Sequence, residues 1–211
     1  MVRNEFVKSM GLGSILLMNP RILFSQNITN KMDTTMKHKE PKRIAPNYFE
    51  DELVDSASVI HPGEGEMLTL NNLSVTFKVT SELSNSQLGV YEISLPPHAI
   101  GAKLHYHRFM DETFIVSQGT LTIELGDGSQ KAKSGTVVYV PRFTPHGFRN
   151  DTNETVVVTL IFNPSEKREG FFKGLYETLN EVPVNPEKFL KLYNKYDSFP
   201  VDVDNMIPTE E

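Results

Sequence analysis

The chain has 211 residues, 38% of them hydrophobic and 23% charged, which suits one well-buried domain carrying extensions. Its net charge of −6 at pH 7 leaves no broad cationic surface to neutralise phosphates, which argues against nucleic acid or an anionic membrane as partner. Cysteine is absent, so disulfides and thiolate ligands are excluded, and any metal must be held by histidine, carboxylate or water.

The N-terminal stretch MVRNEFVKSMGLGSILLMNPRILFSQ contains one short apolar run, GLGSILLM, which Asn19, Pro20 and Arg21 stop well short of a bilayer-spanning length. No transmembrane segment is expected. The stretch resembles a twin-arginine export signal with Asn4 where the second arginine belongs and with small Ser25 near the expected cut. The other reading is an amphipathic helix packed on the domain or on a second subunit. The first implies a periplasmic or exported protein, the second a cytoplasmic one. Residues 26–46, QNITNKMDTTMKHKEPKRIAP, are polar and aperiodic and read as linker. The expected organisation is therefore an extension over 1–46, a β-barrel over 47–165 and a helical extension over 166–211.

From Leu68 the pattern turns to short alternating runs rich in Val, Thr, Ile, Phe and Tyr: LTLNNLSVTFKV, LGVYEISL, TFIVSQ, TLTIEL, TVVYV and TVVVTLIF. Asn71-Asn72, Pro96-Pro97, Gln118-Gly119, Gly126-Asp127-Gly128 and Pro141 separate them, residues that supply positive φ or withhold a ladder donor. Many short strands at close spacing predict an all-β sandwich or barrel. After Asn163-Pro164 the period lengthens. REGFFKGLYETL places Phe171, Phe172, Leu175, Tyr176 and Leu179 on one helical stripe. NPEKFLKLYNKYD follows, with Asn185 as N-cap, Pro186 in the first turn, and Phe189, Leu190 and Tyr193 on one face. These helices are expected to cover the barrel exterior or a dimer seam, their aromatics serving as packing.

The chemistry concentrates in LHYHRFMDETF, Leu104 to Phe114. Residues i and i+2 of a strand share a face, so His105 and His107 present two imidazoles side by side. Glu112 has the opposite parity, so RFMD must bend the chain to return it to the same centre. His146 supplies a third imidazole after VPRFTP. Three imidazoles and a carboxylate suit one divalent ion of Fe, Mn, Ni, Cu, Co or Zn rather than Ca or Mg, and leave coordination positions free. His38 and His61 read as uninvolved. His98 reads as an exposed loop histidine or a lid residue, and Asp111 as an acceptor orienting a ligand imidazole or as a solvated turn aspartate.

These residues give the chain a resemblance to the cupin superfamily. Its first motif is met by Ala99, His105, His107, Glu112 and Gly119, its second by Gly135, Pro141, Phe143, His146 and Asn150; Ala99 and Phe143 stand where the family has glycine. The stretch from about Glu50 to Leu179 is similar to the quercetinase-like branch of single-domain cupins. The resemblance implies a double-stranded β-helix, or jelly-roll barrel, with the metal inside, and a homodimer. It also implies a small-molecule substrate and a metal-dependent oxidoreductase, a dioxygenase acting on an aromatic or enolic molecule, with Glu112 as catalytic base. A non-redox isomerase or lyase and a binding module without catalysis are the alternatives. By alternation Phe114 and Val116 follow Glu112 inward, and Phe148 and Asn150 follow His146; Tyr91 and Tyr139 complete the candidate pocket. Asn150 reads also as a residue that satisfies turn backbone.

Overall fold

The structure, a computed structural model, describes residues 57–70 and 72–207. The expected N-terminal extension, with its signal-like segment, linker and His38, and the first residues of the 47–165 segment lie outside them. Ten strands follow one another: β1 Glu66–Leu70, β2 Leu73–Val79, β3 Gly89–Leu95, β4 Ile100–Tyr106, β5 Asp111–Gln118, β6 Thr120–Leu125, β7 Gly128–Lys133, β8 Val137–Val140, β9 His146–Arg149 and β10 Val156–Asn163. Helices α1 Arg168–Leu179 and α2 Pro186–Lys195, a two-residue strand β11 Phe199–Pro200 and a short helix α3 Val203–Met206 complete the described chain.

The strands form two sheets, ordered β1-β2-β3-β10-β5-β8 and β11-β4-β9-β6-β7, with antiparallel neighbours throughout. Pairings such as β3 with β10 and β4 with β9 join strands distant in sequence, and the result is a two-sheet jelly roll, the all-β class expected. Strand β10 shows why. It lies between β3 and β5 and turns Val156, Val158, Leu160 and Phe162 to the interior in strict alternation. Each such side chain contributes roughly 1.5–3 kcal/mol relative to exposure. At the β5–β6 turn Gly119 has φ +77, and a Cβ there would meet the Thr155 carbonyl at 3.0 Å, so the glycine allows both the turn and the close approach of β10.

The helices begin as the sequence predicts. Asn185 caps α2 by accepting from the Lys188 N–H at 3.0 Å, with Pro186 in the first turn. Their position is the first correction. Phe171, Phe172, Leu175 and Leu179 of α1 and Phe189 and Tyr193 of α2 do not lie on the barrel exterior; they roof a cavity whose walls come from both sheets. A stripe that packs against a barrel mouth has the same period as one that packs against its outside, so sequence alone does not separate them. Tyr176, expected on the buried stripe, is instead exposed.

Candidate metal centre

Strand β4 carries His105, delivers His107 one residue beyond its end, and pairs His105 with His146 at the start of β9; Glu112 is the second residue of β5. All four side chains are buried, and their ligand atoms lie within 4.8 Å of one another. Gly147, after His146, permits the close approach of β9 to β4, since a Cβ there would stand 2.8 Å from the Ala102 carbonyl oxygen.

The predicted bend over RFMD is present, and its anchor lies far away in sequence. The carboxylate of Asp197, between α2 and β11, accepts from the backbone N–H groups of Arg108 (3.0 Å), Phe109 (2.7 Å) and Met110 (3.2 Å). Three donors converging on one carboxylate replace the ladder partners these residues lose on leaving the sheet. The bend reverses the parity of the strand and brings Glu112 to the imidazoles. Phe143, in the position of a family glycine, keeps the left-handed backbone that glycine would adopt, at φ 64, and its N–H donates to the His107 carbonyl at 2.6 Å. Ala99, the other departure, accepts the Asn150 N–H at 2.9 Å and ties the two motifs together.

Each imidazole is oriented by a main-chain carbonyl. Nδ1–H donates to Lys103 O in His105 (2.8 Å), to Asp197 O in His107 (2.5 Å) and to Thr144 O in His146 (2.8 Å). A carbonyl only accepts, so Nδ1 holds the proton and the neutral ring turns its Nε2 lone pair to the centre. Nε2 of His107 and of His146 face Oε2 of Glu112 at 3.2 and 2.8 Å. Three lone pairs and a carboxylate thus converge in a buried space with no donor of their own, an arrangement that is stable only around a cation, either a proton or a metal ion. The spacing fits a metal. Two ligand atoms each about 2.1 Å from an ion and at right angles stand about 3 Å apart.

The protonation preferences agree with this geometry. Burial, reinforced by the neighbouring imidazoles, holds His105 well below its ordinary value. Burial also lowers His107, outweighing its bond to Glu112. Burial works against charge on His146 too, but its hydrogen bond to Glu112 and that carboxylate's charge prevail and push it up. For Glu112, burial favours the neutral acid, yet sharing of a proton with the facing His107 and His146 nitrogens, which a bound ion would replace, wins and holds the carboxyl well below the usual range. At a pH below the raised His146 value, and without a metal, a proton is shared between His146 and Glu112, and an incoming ion must displace it. Zinc affinity is therefore expected to fall by about tenfold per unit of acidification below the raised His146 value and to level off above it. Calorimetric titration at pH 6, 7 and 8 measures this, and a pH-independent affinity would exclude His146 as a ligand.

His105 and Glu112 form part of the wall of a cavity of about 320 Å³. The rest is mostly apolar, with Phe148, Phe162, Phe171, Phe172, Phe189 and Tyr193 as its aromatic members. Such a volume is at the low end for small-molecule pockets. Of the five residues expected to line it, Phe148 does so. Phe114 and Val116 face inward with Glu112 but are packed in the core, Phe114 edge-on to Phe148 at 5.3 Å. Tyr91 is fully buried within a cluster of Phe77, Phe162 and Phe172, and its hydroxyl donates to Glu169 at 2.7 Å. Tyr139 is a correction: it is 61% exposed, because in register it pairs with Thr113, one residue out of phase with Glu112, while Val138 and Val140 face in.

Asp111 touches none of the imidazoles; it binds the backbone N–H and the guanidinium of Arg142, which holds its carboxyl below the ordinary value. Asn150 satisfies turn backbone, donating to Leu95, Pro96 and Glu154 carbonyls. His98 is exposed and bonds Asn153, and His61 is exposed and remote. Two residues that sequence reasoning missed belong to the site: Asp197, as the anchor of the bend, and Arg168, buried on the cavity wall.

Residues 91–162 match the family model described as the cupin domain. A curated protein of Aquifex aeolicus (strain VF5), described as uncharacterized, is 38% identical over 61 residues, 29% of this chain and 50% of that protein. The chain thus spans about half of that relative. Among solved structures, a sugar phosphate isomerase from a cupin superfamily of Silicibacter pomeroyi is similar with a TM-score of 0.42 and 23% identity, over 46% of this chain and 63% of that one. A predicted oxalate decarboxylase of Thermotoga maritima aligns with a TM-score of 0.46 and 16% identity, over 51% of this chain and 99% of that one. No helix among the described residues is long and apolar enough to cross a membrane. The described residues thus form a jelly roll of two sheets in which residues 91–162 match the cupin domain model and both motifs fold about one point.

Proposed function

We propose that the protein is a metal-dependent dioxygenase acting on a small aromatic or enolic molecule. The observation that carries this reading is the convergence of three imidazoles and a carboxylate at one buried point, two of which, His105 and Glu112, open onto the wall of an aromatic cavity. His105, His107, Glu112 and His146 would hold the ion. When bound, it supplies Lewis acidity and, if it is iron, manganese, nickel or copper, a route for electrons between substrate and dioxygen.

The chain's own groups do the rest. The phenyl rings of α1 and α2 exclude water and offer flat surfaces to a planar substrate. Glu112, the one carboxylate among the lining residues, is placed to accept a proton from a substrate hydroxyl.

The test is oxygen uptake by protein loaded separately with Fe, Mn, Ni, Cu, Co and Zn and offered a panel of flavonols and smaller enols. Stoichiometric oxygen consumption with at least one redox-active ion is expected. Conversion without oxygen uptake would replace the proposal with a Lewis-acid isomerase or lyase, and binding without product would replace it with a binding module.

A further inference from the structure

We infer that Arg168 makes this cavity selective for a substrate that carries a carboxylate on an apolar body. The inference rests on the reading of the cavity as the substrate site and adds the chemistry of the substrate's far end.

Arg168 opens α1 and is 4% exposed on the cavity wall. Its Nη1 donates to the Tyr196 carbonyl and to the Ser198 hydroxyl, both at 2.9 Å. Its Cζ lies 3.9 Å from the centroid of the Phe171 ring and 4.7 Å from that of Phe162. These contacts fix the plane of the guanidinium and shield its faces, yet they use one nitrogen only. Nε is buried and has no hydrogen-bond partner, and no bond links Nη2 to a described residue. Nε–H and the adjacent Nη2–H point the same way and form the edge of the guanidinium that grips a carboxylate through two parallel bonds. Aromatic faces balance part of the charge but accept none of these hydrogens.

The charge balance of the wall favours the same ligand. Its lining contains two cations, Arg168 and Lys103, and a single carboxylate, Glu112. Glu112 is committed to the metal centre, and an ion there adds positive charge. Other carboxylates nearby are engaged: Asp197 holds the backbone of residues 108–110, and Glu169 accepts from Tyr91 and Ser81. A cavity with apolar walls and two cations to one carboxylate in its lining takes an amphipathic anion. The guanidinium fork selects carboxylate geometry, and the rings hold the hydrocarbon part.

The experiment compares 4-phenylbutyrate with 4-phenylbutanamide, which differ in charge at one end, by calorimetry on the zinc-loaded full chain. The carboxylate is expected to bind at least about 10-fold tighter. Arg168→Gln should abolish the preference, and Arg168→Lys, which keeps the charge without the fork, should retain only part of it. On the unaltered protein the Arg168 Nε–H resonance should shift on adding the carboxylate and stay in place on adding the amide, a readout that does not depend on a variant folding. Chelator-treated protein should keep the preference. Its loss on metal removal, its survival in Arg168→Gln, or an unmoved Nε–H signal would each overturn the inference and assign the carboxylate elsewhere. A preference that follows Arg168 in a protein that consumes no oxygen would sustain this inference while removing the dioxygenase reading.

Discussion

His105→Ala will bind zinc at least about 100-fold more weakly than the unaltered chain and will lose the metal-dependent rise in melting temperature. The ring lies opposite His146 in the sheet, with Nδ1 tied to Lys103 O, and is one of the four that converge on the candidate centre among the described residues. An ion at about 100 times its dissociation constant stabilises the folded state by about 2.7 kcal/mol, and that increment is what the variant forfeits. The metal-free proteins will differ in a less one-sided way, since the substitution removes packing but also removes one of the converging lone pairs. Thermal denaturation with and without zinc, together with elemental analysis, reads both effects. A variant that retains full metal content would show that the ligand assignment is wrong.

Asp197→Ala is the second substitution with a large expected effect, and it acts on stability and metal affinity together. Removing the carboxylate leaves the N–H groups of Arg108, Phe109 and Met110 without their acceptor. A buried donor left unpaired costs about 1–3 kcal/mol, and with two of the three only partly buried the sum is about 3–5 kcal/mol. The bend also sets the direction in which the chain leaves His107, whose Nδ1–H rests on the Asp197 carbonyl. Zinc affinity should therefore drop by about 10- to 100-fold, because the backbone that carries this carbonyl and the bend that delivers Glu112 both lose their anchor. Asp197→Asn, which keeps one acceptor oxygen, should fall between. Urea unfolding of the metal-free chain and zinc titration of the same samples test both parts; an unchanged unfolding midpoint in the alanine variant would show that the bend is held by something else.

The cluster of His105, His107, Glu112 and His146 was legible because a candidate metal site imposes a spacing on a strand, and two histidines two residues apart followed by a glutamate of the wrong parity already demand a bend. The strands were legible because their side chains alternate, and Glu112, Phe114 and Val116 do turn inward together. Tyr139 was misread because alternation gives only relative phase: β8 is four residues long, and its absolute phase is set by pairing with β5, which no local pattern records. Arg168 and Asp197 left no signal at all. Each is one charged residue among others in a helical or polar stretch, and each joins the site only because the C-terminal segment folds back over the barrel mouth and lays β11 against β4. The same folding back moved the aromatic stripes of α1 and α2 from an expected outer surface to the roof of the cavity.

The three Nδ1–carbonyl bonds fix the rings in one tautomer. A histidine that spends one ring hydrogen on a fixed main-chain oxygen cannot exchange tautomers without breaking that tie, so none of these rings is free to relay hydrogen ions between bulk water and a reacting molecule. If the chain works as proposed, hydrogen-ion traffic would fall to the carboxylate and to the reactant itself, and the acidity of the reactant, more than any imidazole, would tune the rate.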